Sequence, residues 1–88
     1  MTERSLALTS EHGLHARPAG TFVKLASTFK SSVTVTYQGK KANGKSLMAL
    51  MSLGLTRDAH LTITAEGTDE NEAVSNLADL VARNFVEA

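Results

Sequence analysis

Residues 33–43 read VTVTYQGKKAN. Val33–Tyr37 is β-branched and alternating, which predicts a half-buried strand. Gln38-Gly39 supplies a tight turn, and Lys40–Asn43 returns as a short polar edge strand. Working outward, RSLALTS at Arg4–Ser10 alternates Leu6 and Leu8 with Ser5 and Thr9, and is expected to be a strand despite Ala7. Apolar residues at Ala19, Phe22, Val23, Ala26 and Phe29 predict an amphipathic helix over 16–29. Ser46–Leu53 has a Ser cap at its start and Gly54 just after it, the signature of a short helix. HLTITAEG places Leu61, Ile63 and Ala65 on one face of another strand. Asp69–Val86 is the clearest helix. Asp69 and Glu72 have capping-box spacing, and Val74, Leu77, Leu80, Val81 and Phe85 form its apolar stripe.

The order is therefore β-α-β-β-α-β-α, an α+β pattern within one domain spanning 1–88. Helices with a single apolar stripe, interleaved with strands, imply two layers with the helices on one face of a sheet. The order does not fix the strand pairing, although the hairpin at 33–43 favours an antiparallel sheet. Nine Lys and Arg balance nine Asp and Glu, and the aromatic residues are one Tyr and three Phe with no Trp. That balance gives no reason to expect nucleic acid or an anionic membrane as partner. With no Cys, neither disulfide nor thiolate chemistry is available. MTERSLALTS has no long apolar run, so a cytoplasmic protein is expected.

The chemistry concentrates in GLHARPAG, residues 13–20. If a helix begins near Ala16, His15 takes the N-cap and the chain's only proline, Pro18, lies in the first turn, where the missing N–H is tolerated. Histidine is not a preferred N-cap residue. The free backbone N–H groups of Ala16 and Arg17, with the helix dipole, make an anion site. The Arg17 guanidinium can grip a phosphate with two parallel hydrogen bonds. A phosphate held there lies beside an imidazole. Both cationic features favour the neutral, nucleophilic form of that ring. The pattern points to reversible phosphorylation of His15. An H-x-R triplet is equally compatible with an exposed histidine next to a solvated arginine.

Ser46–Leu53 is almost wholly apolar. Leu50 and Leu53 can face the core, which leaves Leu47, Met48 and Met51 as an exposed docking patch suited to several partners. Lys24 and Lys45 border that face and would help acidic partners approach. His12, His15 and His60 come with no carboxylate or Cys at a recognisable ligand spacing, so no metal and no cofactor are expected.

GLHARPAG followed by Phe22-Val23 resembles the active-site signature of the phosphocarrier protein HPr family, part of the bacterial phosphoenolpyruvate-dependent sugar phosphotransferase system. KSLMALMSLG at 45–54 is similar to that family's regulatory-serine signature, and HLTITAEGTDENEAV at 60–74 is similar too. The resemblance covers essentially the whole chain. It implies an open-faced β-sandwich, a four-stranded antiparallel sheet of order 1-4-2-3 with three helices on one face. It implies a carrier, not an enzyme. His15 would accept phosphate on Nδ1 from phosphorylated enzyme I, assisted by Arg17, and pass it to enzyme IIA proteins. Gly20, Lys24, Leu47, Met48 and Met51 would belong to the shared partner face. Ser46 would be the target of a regulatory kinase or phosphorylase. Gly20 departs from the Ala or Thr often found there, and a mid-helix Gly costs about 1 kcal/mol relative to Ala. A monomer is expected. A carrier in a regulatory, nitrogen-related phosphorelay is the alternative function. A small nucleic-acid-binding module is the alternative from another class.

Overall fold

The central hairpin forms where the alternation puts it. In the computed structural model, which describes residues 1–7, 16–54 and 60–82, β2 runs Ser32–Tyr37 and β3 Lys40–Asn43, with Tyr37 opposite Lys40. Gln38 (φ 50°) and Gly39 (φ 79°) are both left-handed, the type I′ geometry whose twist matches the flanking strands. Two further strands, β1 (Thr2–Ala7) and β4 (His60–Glu66), complete an antiparallel sheet of order β1-β4-β2-β3. The sheet carries three helices, α1 (Ala16–Ala26), α2 (Leu47–Ser52) and α3 (Glu70–Ala82). Both the architecture and the strand order are those implied by the resemblance.

Register explains the layering. Val35 lies opposite Ile63 and Val33 opposite Ala65, so their side chains share one face of the sheet. That face is buried against Ala19, Phe22 and Ala26 of α1, Leu50 of α2, and Val74, Leu77 and Val81 of α3. The other face carries Thr34, Thr36, Thr62 and Thr64, half-exposed and lined by Lys41 and Glu66. At Gly44 an added Cβ would stand 2.5 Å from Val33 Cγ1 and 3.3 Å from Phe22 Cε1. Glycine thus lets the chain leave β3 in close contact with the core and start α2.

Two element boundaries differ from the sequence expectation, each at a tertiary contact. β1 begins at Thr2 and not Arg4, because β4 extends far enough to pair Ala65 with Thr2. Residues 8–10, the expected end of that strand, lie outside the described residues. α1 stops at Ala26 and does not reach Phe29. The amides of Thr28 and Phe29 close tighter turns on the Leu25 and Ala26 carbonyls. The Lys30 amide (2.8 Å) and the Ser31 amide (2.9 Å) then donate to the Asp69 carboxylate. That carboxylate also accepts from the Ser31 hydroxyl. Asp69 does precede the first residue of α3, but its side chain ties the end of α1 to α3 and does not serve in the expected capping box. The predicted continuation of α3 to Val86, with Phe85 in its stripe, lies outside the described residues.

These bonds, the Ser31 hydroxyl foremost and the Lys30 amide next, hold the Asp69 carboxyl down at about 2. Glu70, which accepts from the Thr2 hydroxyl and the Met1 amino group, is likewise held at about 2. A carboxylate depressed in the folded state adds stability that is complete above its ordinary value of about 4 and is lost as pH falls through the folded value. Asp69→Asn is therefore expected to lower the unfolding midpoint at pH 7. The gap to the parent should narrow steadily as pH falls from about 4 towards about 2. Urea unfolding across that range is the check, and a gap independent of pH would contradict it.

Candidate functional site

α1 places the signature motif at its start. Its first residue is Ala16, and its first turn contains no acidic residue. Ala16 and Arg17 are the first two residues of that turn, and their N–H groups have no intrahelical acceptor. Pro18, third in the helix, has no N–H to offer. An 11-residue helix therefore presents the positive end of its dipole directly after His15. His15 itself lies outside the described residues, as do the side chains of Ala16, Arg17 and Pro18. Further along α1, Gly20 is half-buried, and a Cβ built on it would meet nothing within 4 Å. Lys24 is exposed in the last turn.

α2 sorts its apolar residues onto two faces, as the spacing requires. Leu50 is 0% and Leu53 5% exposed, while Leu47 is 38%, Met51 45% and Met48 83% exposed. A six-residue helix cannot sustain itself in water. Its ends are therefore closed by caps. Ser46 is extended (φ −116°, ψ 115°), and its Oγ accepts the Ala49 amide at 3.3 Å. Gly54 follows the C-cap Leu53 with φ 69°, the left-handed turn that ends a helix. α2 packs on both α1 and β3, so the exposed Leu47, Met48 and Met51 belong to the same helical layer as α1.

One residue has a role the sequence reading missed. Lys45, read as a border charge, donates from Nζ to the Phe29 carbonyl at 2.8 Å and is only half-exposed. It ties the residues just after α1 to the start of α2. Nothing local signals this, because the acceptor becomes available only where α1 ends early.

The comparisons agree with this geometry. The model of the family described as "PTS HPr component phosphorylation site" matches residues 2–83. A crystal structure of HPr-C-His from Thermoanaerobacter tengcongensis is 43% identical, covers 100% of this chain and 99% of its own, and superposes with a TM-score of 0.95. The phosphocarrier protein HPr of Bacillus anthracis str. Ames is 35% identical over 98% of this chain and 96% of its own, with a TM-score of 0.86. The Bacillus subtilis catabolite repression protein Crh, described as a swapped, intertwined dimer, is 39% identical over 99% of this chain and 100% of its own, with a TM-score of 0.78. The match extends over almost the whole sequence and over every element of the fold, and so the chain belongs to the HPr family of phosphocarrier proteins of the phosphotransferase system.

Proposed function

We propose that the protein carries a phosphoryl group on His15, from phosphorylated enzyme I to enzyme IIA proteins that serve sugar uptake. The family match over residues 2–83, which contains GLHARPAG, is the observation that carries this reading. In the transfer, the Nδ1 lone pair of neutral His15 attacks phosphorus. The bond between phosphorus and the donor breaks, and the phosphoryl charge comes to rest at the start of α1. The Ala16 and Arg17 amides and the Arg17 guanidinium stabilise that charge. Because the group must leave again, the same donors serve both directions. The protein acts as one carrier domain that is transiently modified, in the cytoplasm and as a monomer, with no cofactor. Mixing it with enzyme I and phosphoenolpyruvate tests the reading. The expected product is an acid-labile, alkali-stable phosphohistidine, and absence of label would overturn it. Feeding the sugar system as opposed to a nitrogen-related relay is tested by chasing the label into enzyme IIA proteins of each kind.

Leu47, Met48 and Met51, with Gly20 and Lys24 on α1, form the docking face in this reading. Met48→Asp, at a position 83% exposed, should change stability by no more than about 0.5 kcal/mol. It should weaken binding to enzyme I about tenfold or more, since buried apolar anchors dominate such interfaces. Calorimetric titration and a melting curve separate the two effects, and an unfolded variant would place Met48 in the core.

Ser46 is the regulatory site in this reading, the target of a kinase and phosphorylase. Its hydroxyl already caps α2, and Asp is an equally good cap. Ser46→Asp should therefore keep its thermal stability. A charge set beside Leu47 and Met48 should nevertheless slow phosphorylation of His15 at limiting enzyme I. Ser46→Ala is the control, losing about 1 kcal/mol of capping while transfer persists. Equal initial rates for Ser46→Asp and the parent would reduce Ser46 to a cap.

A further inference from the structure

Most of the chain's sulfur is gathered on one short helix. The sequence has no Cys, no Trp and three methionines, Met1, Met48 and Met51. Thioether sulfur is therefore the only sulfur that an oxidant can reach. Methionine commonly fills irregular gaps in a core. Here the buried core is built from Ala, Val, Leu, Ile and Phe, and none of the three methionines belongs to it. Met48 is 83% and Met51 45% exposed. Three positions apart on α2, they share one side of that helix with Leu47, while Leu50 is buried on the other. Met1, also exposed, lies across the sheet, where it lines the groove on the solvent face with Thr34, Thr64 and Glu66.

We propose that Met48 and Met51 form a reversible oxidation site, whose conversion to methionine sulfoxide disables the docking face and leaves the fold intact. The inference rests on the reading of α2 as that face, and adds a means of regulating it that needs no charge at Ser46. With hydrogen peroxide as oxidant, the sulfur lone pair attacks one peroxide oxygen. An S–O bond forms, the O–O bond breaks, and the second oxygen takes up the proton of the first and leaves as water. Sulfur loses two electrons and the peroxide gains them. Two thiols of a reductase reverse the step, returning the thioether and releasing a disulfide and water. This chain has no thiol, so that reductant comes from another protein. The sulfoxide is polar and accepts hydrogen bonds, and an apolar interface offers it no donor, so its burial there is penalised. In the free protein it stays solvated. Folding should not feel it, because α2 is held by Leu50 and by the caps at Ser46 and Leu53, none of which involves sulfur.

Treatment of the intact protein with hydrogen peroxide, followed by peptide mass mapping, thermal unfolding and titration with enzyme I, tests this. Sulfoxide should appear on Met48 and Met51, the treated protein should melt with the parent, and binding should weaken roughly 10- to 100-fold. Methionine sulfoxide reductases for both sulfur epimers, supplied with a dithiol, should restore it. Met48→Leu with Met51→Leu is the matched variant, since leucine has a similar volume and no sulfur. Whatever the affinity of that variant before treatment, it should be the same afterwards, although Met1 still takes up oxygen. Oxidation of Met1 with none at Met48 and Met51 overturns the site. Undiminished binding by the oxidised parent overturns the switch. An equal loss in the double variant does so too, because the damage then lies elsewhere. An unfolded oxidised protein also does so, because the loss is then of structure and not of docking. Failure of the untreated parent to bind enzyme I would instead overturn the docking reading itself, and the switch with it.

Discussion

His15→Ala is expected to abolish labelling from phosphoenolpyruvate and enzyme I completely, while the domain melts at the temperature of the parent. The carrier reading gives this chain one phosphoryl acceptor with a suitably placed anion site, and that is the residue immediately before α1. None of the three residues that follow it can substitute for it. Arg17 is a cation without a lone pair to offer, Pro18 has a blocked nitrogen, and Ala16 has no functional group. The helix start would survive, because its anion site is made of backbone amides, and those remain when a side chain is removed. An alanine at the N-cap is a poor cap, but histidine is not a preferred one either, so the stability change should stay within about 1 kcal/mol. The measurement is a pair of assays on one preparation, radiolabel transfer and thermal unfolding. Label retained by a folded His15→Ala protein would overturn the assignment of the acceptor. Loss of label with loss of fold would call for His15→Gln, which keeps a polar side chain of similar reach and must also be unlabelled if the reading holds.

Leu50→Ala is expected to cost about 2–5 kcal/mol of folding stability, the usual penalty for emptying a leucine-sized volume in a packed core. Leu50 is 0% exposed and is the one buried residue within the six-residue α2. The helix has no stability of its own at that length. Its position depends on this side chain, on the half-buried Ala49, and on the caps at Ser46 and Leu53. The effect should therefore exceed simple loss of area. Leu47, Met48 and Met51 are presented by the same helix, so the docking patch should lose its shape together with the core contact. Denaturant unfolding should show a lower midpoint, and enzyme I binding should weaken in parallel. This contrasts with Met48→Asp, which is expected to lose binding and keep stability. Leu50→Ala with parental stability would mean that α2 is held by its caps alone, and the assignment of its two faces would have to be reversed.

Local periodicity determined most of the element order. VTVTY alternates because one face of β2 meets the core and the other meets solvent, and a two-residue period can be read without knowing the partner strand. The same holds for Leu61, Ile63 and Ala65 of β4 and for the stripe of Val74, Leu77, Leu80 and Val81 in α3. The division of α2 between Leu50 and Leu53 inside and Met48 outside was legible too, because helical geometry fixes which residues share a side. The candidate acceptor His15, proposed from a histidine directly before a helix with proline in its first turn and from the resemblance, lies outside the described residues. What depended on residues far apart in the chain was not legible from local pattern, and the strand order came through the resemblance alone. The strand order β1-β4-β2-β3 rests on pairings such as Thr2 with Ala65, which no local pattern encodes. Asp69 looked like a cap because caps are local, yet its carboxylate found two amides and a hydroxyl at Lys30 and Ser31, 38 to 39 positions away. Those bonds, not the apolar period, accompany the end of α1 at Ala26, and the Phe29 carbonyl goes to Lys45. The charge balance shows the same division. The sequence determines that the net charge is zero and that residues 16–54 carry no Asp or Glu, whereas only the tertiary fold decides which charges come near one another, setting Lys41 along the same groove as Glu3 and Glu66 on the solvent face of the sheet, because position in space, and not in the chain, sets an electric field.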